Sequence, residues 1–302
     1  MNNKRITETL KNIANFILFC GGMMIISIIL TKYIYNKGNT NIYDSLAVYN
    51  KINEIKSEPD NSLQVLFYGD SECYSSFYPK ILSSEFNISS YVCATAAQQI
   101  CDTYAIFKDN IKTQKPDIIV LETNCLYRQI KTNKTDKDIV MKLLTNHFSM
   151  FAYHSDWKIM AKKIMPPKNV QNKRKNRGFV VRKNVIPYKG KKYMKPTGKS
   201  RVLPKDNIVY LNKIKSLCES NNIELLLVST PSPKNWSYKK HNGIYNWAST
   251  NSVTYIDLNL EKELNINWKK DTKDGGDHLN LSGANKVTRY LGNYMKTYYF
   301  KK

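Results

Sequence analysis

Gln64-Val65-Leu66-Phe67-Tyr68 runs directly into Gly69-Asp70-Ser71-Glu72. A short, uninterrupted apolar run of this kind is expected of a strand buried on both faces, as in a parallel sheet. The turn that follows would present a serine hydroxyl at the carboxyl edge of such a sheet, with Gly69 permitting a tight backbone. Runs of the same character recur at Pro116–Glu122 (PDIIVLE), Ile223–Ser229 (IELLLVS) and Val253–Leu258 (VTYIDL), with a weaker one at Asn87–Val92. Between them lie stretches with helical spacing: 78–85, 98–113, 136–151, 206–220, 237–248 and 282–298. Strand and helix in alternation predict an α/β protein, a three-layer α/β/α flavodoxin-like domain whose functional face lies at the carboxyl ends of the strands. The last helix is the best patterned. Ser282 can cap it, and Ala284, Val287, Leu291, Tyr294, Met295 and Tyr298 share one face.

The 302 residues hold one domain and an accessory segment, and an apolar fraction of 42% is enough for a core and excludes a disordered chain. Residues 1–11 form a short basic tail. The stretch 12–35 contains an uncharged run, Asn12 to Thr31, just long enough to cross a ~30 Å hydrocarbon core as a helix. Bulky residues follow it where a signal peptide would carry a small-residue cleavage site, so it reads as a single uncleaved membrane anchor. The expected location is the cell membrane, single-pass, with the catalytic domain extracytoplasmic. Residues 36–61 read as a polar stalk or short helix, and 62–302 as the domain.

A basic insertion, 157–205, interrupts the domain. It contains 17 Lys and Arg and no Asp or Glu. With the net charge of +23, it predicts an anionic partner: a phosphate- or uronate-bearing chain or an anionic membrane surface. No base-reading motif accompanies the charge, and nucleic acid is not an expected partner. Gly178-Phe179-Val180-Val181 and Tyr188 suggest that part of the insertion docks on the domain as a rim of the site. Six cysteines show neither CxxC pairing nor zinc-ligand spacing with the four histidines, so no metal site is expected.

A serine needs a base within reach, and the base needs an orienting acid. His278 alone of the histidines sits in a suitable place, in Asp274-Gly275-Gly276-Asp277-His278-Leu279-Asn280, at the entrance of the last helix. His147, His154 and His241 read as structural. Taken singly, Gly-Asp-Ser is also an ordinary turn and Asp-His a solvated loop; their order at successive strand ends is what joins them.

The three blocks YGDS, PDIIVLETN and DHLNLSGANKVTRYL resemble, in order, the blocks of the SGNH/GDSL hydrolase superfamily, over about Gln64 to Tyr298. The N-terminal anchor and the DHLNxxGA form resemble its membrane-tethered branch, which includes DltD-like and alginate-acetylation-like proteins. The resemblance implies serine-dependent acyl-ester chemistry, as esterase or O-acyltransferase, on a cell-surface polysaccharide or teichoic-acid-like acceptor. It implies a multi-pass membrane acyltransferase as partner and no cofactor. Ser71 would be the nucleophile and His278 the base. Ser71, Ala94 and Asn124 would form the oxyanion hole, the first two through backbone N–H groups and Asn124 through its amide. The sequence departs from the family at three places: Ala94 stands where Gly is usual, Asn124 lacks the Gly-x-Asn-Asp setting, and the position three before His278 is Gly275. Asp274 is the first choice for the acid, with Asp277 the alternative. The departures also motivate a second reading, a non-catalytic scaffold of the same fold within a membrane acylation complex.

Overall fold

The computed structural model describes residues 2–35, 46–130 and 176–301. The chain divides into two compact units, Met1–Leu46 with Thr132–Pro166, and Ala47–Lys131 with Pro167–Lys302. Within the described residues, the first unit consists of one long helix, α1, Asn2–Tyr35. No helix among the described residues is long and apolar enough to cross a membrane. The span expected over 12–35 therefore gains no support. Polar or small Asn12, Asn15, Gly21 and Gly22 interrupt its apolar character, and the side chains at 20, 24 and 27–35 lie outside the described residues.

The second unit begins within α2, Leu46–Lys56, inside the segment expected to be a stalk or short helix. Ile52 and Ile55 of this helix are fully buried, and Glu54 accepts a hydrogen bond from Tyr91 OH (3.2 Å). Its apolar pair covers domain surface, so the domain begins earlier than residue 62.

Five parallel strands follow: β1 Val65–Tyr68, β2 Ser90–Val92, β3 Ile118–Glu122, β4 Glu224–Ser229 and β5 Thr254–Asp257. Their order in the sheet is β2-β1-β3-β4-β5. This is the flavodoxin-like arrangement, in which ligands bind beyond the carboxyl ends where the strand order reverses, here between β1 and β3. Strands β1 and β3 are buried at every position, which explains their unbroken apolar sequence.

The connecting helices are α3 Ser71–Ser76, α4 Pro79–Phe86, α5 Ile100–Asn110, α6 Lys205–Glu219, α7 Tyr238–Thr250 and α8 Leu281–Tyr298. Helix α8 packs against α3 and α4 over one face of the sheet; α5 and α6 pair on the other. Val65, Phe67, Val120, Leu226 and Val228 meet Val287, Leu291 and Met295 in one apolar core. Burying such side chains is worth roughly 1.5–3 kcal/mol each, so α8 fixes the loop that precedes it. Its N-cap is Asn280, not Ser282: Asn280 Oδ1 accepts from the N–H groups of Ser282 and Gly283. Ser282 instead donates its hydroxyl to Asp271 (2.7 Å).

Candidate active site

The turn after β1 is set by Gly69, whose φ of +149° is closed to most side chains. A Cβ there would lie 2.8 Å from Glu122 Cβ and 2.9 Å from Cys73 Cβ. Asp70, fully buried, then caps α3 by accepting the Glu72 N–H at Oδ1 (3.0 Å). Ser71 is thereby held on the first turn of a helix, its own N–H pointing away from any intrahelical acceptor.

The loop between Thr272 and His278 comes from the other side of the site. Gly275 and Gly276 take φ of +73° and +92°, and Gly276 N–H donates to Thr272 Oγ1 (2.7 Å). The chain folds back so that Asp274 holds His278 twice. Its Oδ1 accepts the backbone N–H (2.7 Å) and its Oδ2 lies 2.7 Å from Nδ1. With a carboxylate at Nδ1, that nitrogen carries the proton and Nε2 is left as an acceptor. Nε2 lies 2.8 Å from Ser71 Oγ. Asp277 Oδ2 is farther from Nδ1, at 3.6 Å, and Asp277 Oδ1 is occupied by Asn235 Nδ2 (2.5 Å). The two candidate acids thus separate: Asp274 is the one in hydrogen-bond contact with the ring.

Ala94 follows β2, is 4% exposed, and is not among the residues with left-handed backbone. Glycine is not required at this position. Among the described residues its N–H has no hydrogen-bond acceptor. Asn124 stands at the end of β3 in a 3-10 turn, Thr123–Tyr127. Its backbone N–H donates to both Glu122 oxygens (3.1 Å each) and its Nδ2 donates to Asp70 Oδ2 (3.3 Å). The structure therefore brings Ser71, His278, Asp274 and Asn124 to the carboxyl edge of β1 and β3, beside the buried Ala94 at the end of β2.

No family model matches the chain, and no curated protein matches it. Among solved structures it is similar to a GDSL-like lipase from Bacteroides thetaiotaomicron, at 8% identity over 84% of this chain and 99% of that one, TM-score 0.41. It is also similar to a lipase/acylhydrolase from Enterococcus faecalis, at 9% identity over 78% and 96%, TM-score 0.41. A third is the acetyl xylan esterase AlAXEase, at 15% identity over 77% and 98%, TM-score 0.40. At such identities and scores, the reading of the site rests on its own geometry.

Carboxylates crowd the floor of the site. Burial, and then the charges of Glu122 and Asp70, push the Glu72 carboxyl well above its ordinary range. Burial, and then Asp70, do the same to Glu122. Arg128 Nη2 reaches Asp70 Oδ2 (2.9 Å), and Lys240 adds a second, partly buried cation. Asn235 Nδ2 bridges Glu72 Oε1 (2.6 Å) and Asp277. Asn235, Lys240 and Arg128 escaped the sequence reading, because no local pattern announces a residue that meets the site only through the fold.

Glu72, Asp277 and His278 offer ligand atoms within 4.8 Å of one another. They are poorly suited to an ion, since Glu72 favours its protonated form and both His278 nitrogens already face Ser71 and Asp274. Cys73 and Cys125 are buried free thiols whose pKa burial raises strongly, and Cys93 is pushed up to about 12. None is a competent nucleophile near neutral pH.

Of the other histidines, His241 pairs through Nδ1 with Asp257 Oδ2 (2.8 Å), away from Ser71; His147 and His154 lie outside the described residues. So do the expected helix at 136–151 and the first part of the basic insertion. From residue 177 to 204 the insertion has neither helix nor strand, and it is tied to the domain throughout. Phe179 is buried against Tyr78 (ring centroids 4.4 Å). Beside the loop that carries His278, Ile186 N–H donates to Thr272 O (3.2 Å) and Gly275 N–H to Ile186 O (2.8 Å).

Proposed function

We propose that this chain is a serine-dependent acyl-ester enzyme with Ser71 as nucleophile, His278 as general base and acid, and Asp274 as the orienting acid. The observation that supports it is the unbroken relay Ser71 Oγ, His278 Nε2, His278 Nδ1, Asp274 Oδ2, with 2.8 and 2.7 Å links. In the first step Oγ attacks the ester carbonyl while Nε2 takes the serine proton. Asp274 stabilises the resulting imidazolium without taking its proton. The oxyanion is met by the Ser71 and Ala94 N–H groups and the Asn124 amide, which act where negative charge develops. The His278 proton then goes to the departing alkoxide. An acyl-serine remains, and the same base activates a water to release it.

Transfer to a hydroxyl of a cell-surface glycopolymer in place of water is the finer form of the proposal. So are the surface polysaccharide or teichoic-acid-like acceptor, the membrane location and the multi-pass acyltransferase partner. These finer points rest on the family resemblance, on the apolar stretch 12–31 and on the basic insertion. The core proposal is tested by treating the full chain and Ser71→Ala with a fluorophosphonate probe and p-nitrophenyl acetate. Labelling and turnover that depend on Ser71 are expected. A folded chain that neither labels nor turns over would favour the scaffold reading.

A further inference from the structure

Lys240 lies on the first turn of α7, with the Tyr127 and Trp236 rings 5.2 and 5.5 Å from its Nζ. The ammonium donates to the backbone carbonyl of Asn235 (2.5 Å) and to Asn124 Oδ1 (3.1 Å). At the other end of the same amide, Asn124 Nδ2 donates to Asp70 Oδ2 (3.3 Å). An ammonium can only donate and an ionised carboxylate can only accept. The amide therefore has one favourable orientation. Flipped, it would set its NH2 against the ammonium and its carbonyl against the carboxylate.

We propose that Lys240 is a positioning residue for the oxyanion hole: it holds Asn124 Oδ1 so that Nδ2 faces the Asp70–Ser71 side of the site. This inference rests on the esterase reading above. One Nδ2 hydrogen is engaged by Asp70, and the second is left for the oxyanion formed at Ser71. The anchorage of the lysine is rigid. Tyr127 OH donates to the Lys240 carbonyl (2.7 Å), and Trp236 Nε1 donates to Asp257 Oδ2 (3.0 Å), fixing both rings that flank the ammonium. Oxyanion donors are effective because they are in place before charge develops. A lysine that removes the alternative amide orientation supplies that order from α7, an element that otherwise carries none of the reacting groups.

A role confined to balancing the buried carboxylates would give a different result, and a double-mutant cycle separates the two. The full chain, Lys240→Met, Asn124→Ala and the double variant are assayed for p-nitrophenyl acetate turnover, with folding checked by thermal melts. Loss of an oxyanion donor costs about a hundredfold or more in kcat. Lys240→Met is expected to lower kcat at least tenfold with KM nearly unchanged. In the Asn124→Ala background, the same change is expected to have almost no further effect. Lys240→Arg, which keeps a donor-only cation, is expected to recover much of the loss.

Equal fold-losses in both backgrounds, or no loss of kcat in folded Lys240→Met, would overturn the proposal. Should Lys240→Met not fold, Lys240→Gln takes its place in the cycle and is judged by the same coupling. Failure of the esterase reading is distinct, since wild type itself would then show no Ser71-dependent turnover.

Discussion

Asp274 grips His278 through both carboxylate oxygens, one on the backbone N–H and one on Nδ1, each at 2.7 Å, across a loop bent by two glycines of positive φ. This grip fixes ring orientation and tautomer together. Asp274→Asn is therefore expected to lower kcat for p-nitrophenyl acetate by about 10³–10⁴-fold, the scale on which a wrong histidine tautomer acts. Asp277→Asn, which disturbs a group 3.6 Å from the ring, is expected to cost less than about tenfold by the same reasoning. Steady-state kinetics of the two variants decide the assignment, and the reverse ranking would transfer the acid's role to Asp277.

The turn that carries Ser71 depends on Gly69. A methyl group there meets two Cβ atoms below 3 Å at a φ of +149°. Gly69→Ala is expected to destabilise the fold by about 1–3 kcal/mol and to abolish probe labelling of Ser71. Urea unfolding followed by fluorescence measures the first and in-gel labelling the second. Wild-type values of both would show that the turn relaxes freely.

The strands were legible in the sequence because β1 and β3 are buried along their whole length, so composition alone marks them. Ser71 and His278 were legible because each sits where a strand or a helix meets a glycine-bearing turn. Asp274 was the first choice over Asp277, and its contact with the ring depends on the φ values of Gly275 and Gly276, which a sequence does not state. Helix α2 was legible as a short helix in a polar stretch, but its docking on the domain through Ile52 and Ile55 was not, because that contact is made only by the fold. The cap of α8 was placed two residues late because Asn280 and Ser282 are both good caps, and the hydroxyl of Ser282 was drawn to Asp271. Lys240 was beyond reach for a different reason: it meets Asn124 across 116 residues.

Glu72 binds its proton more tightly in the folded chain than in the unfolded one, because of burial and then the charges of Glu122 and Asp70. The stabilisation from that proton is complete below the unfolded value of about 4.3 and is lost as pH rises through the raised folded value. Glu72→Gln keeps an acceptor for Asn235 Nδ2 and removes the ionisable group. Its melting temperature is expected to exceed that of wild type at pH 8 and to converge with it toward pH 4. Each kcal/mol recovered corresponds to about 2–4 °C in a domain of this size. Melts across that range test the sign; a variant less stable than wild type at pH 8 would mean that Glu72 is held as a carboxylate.

Asn280 joins three parts of the site's support. Its Oδ1 caps α8, and its Nδ2 donates to Lys270 O (2.7 Å) and to Asn184 O (3.3 Å) in the insertion. Asn280→Ala removes the cap and the donor to the carbonyls of Asn184 and Lys270, two exposed residues. The cap is worth about 1 kcal/mol, and a hydrogen bond that water can replace adds about 0.5–1.5 kcal/mol at most. A loss of about 1–2 kcal/mol is therefore expected in denaturant titrations. Asn280→Asp restores the capping oxygens but not the amide donor, and its stability is expected to fall between the two. If Asn280→Asp matched wild type, the cap would account for the whole contribution, and the bonds to residues 184 and 270 would add nothing measurable to the fold.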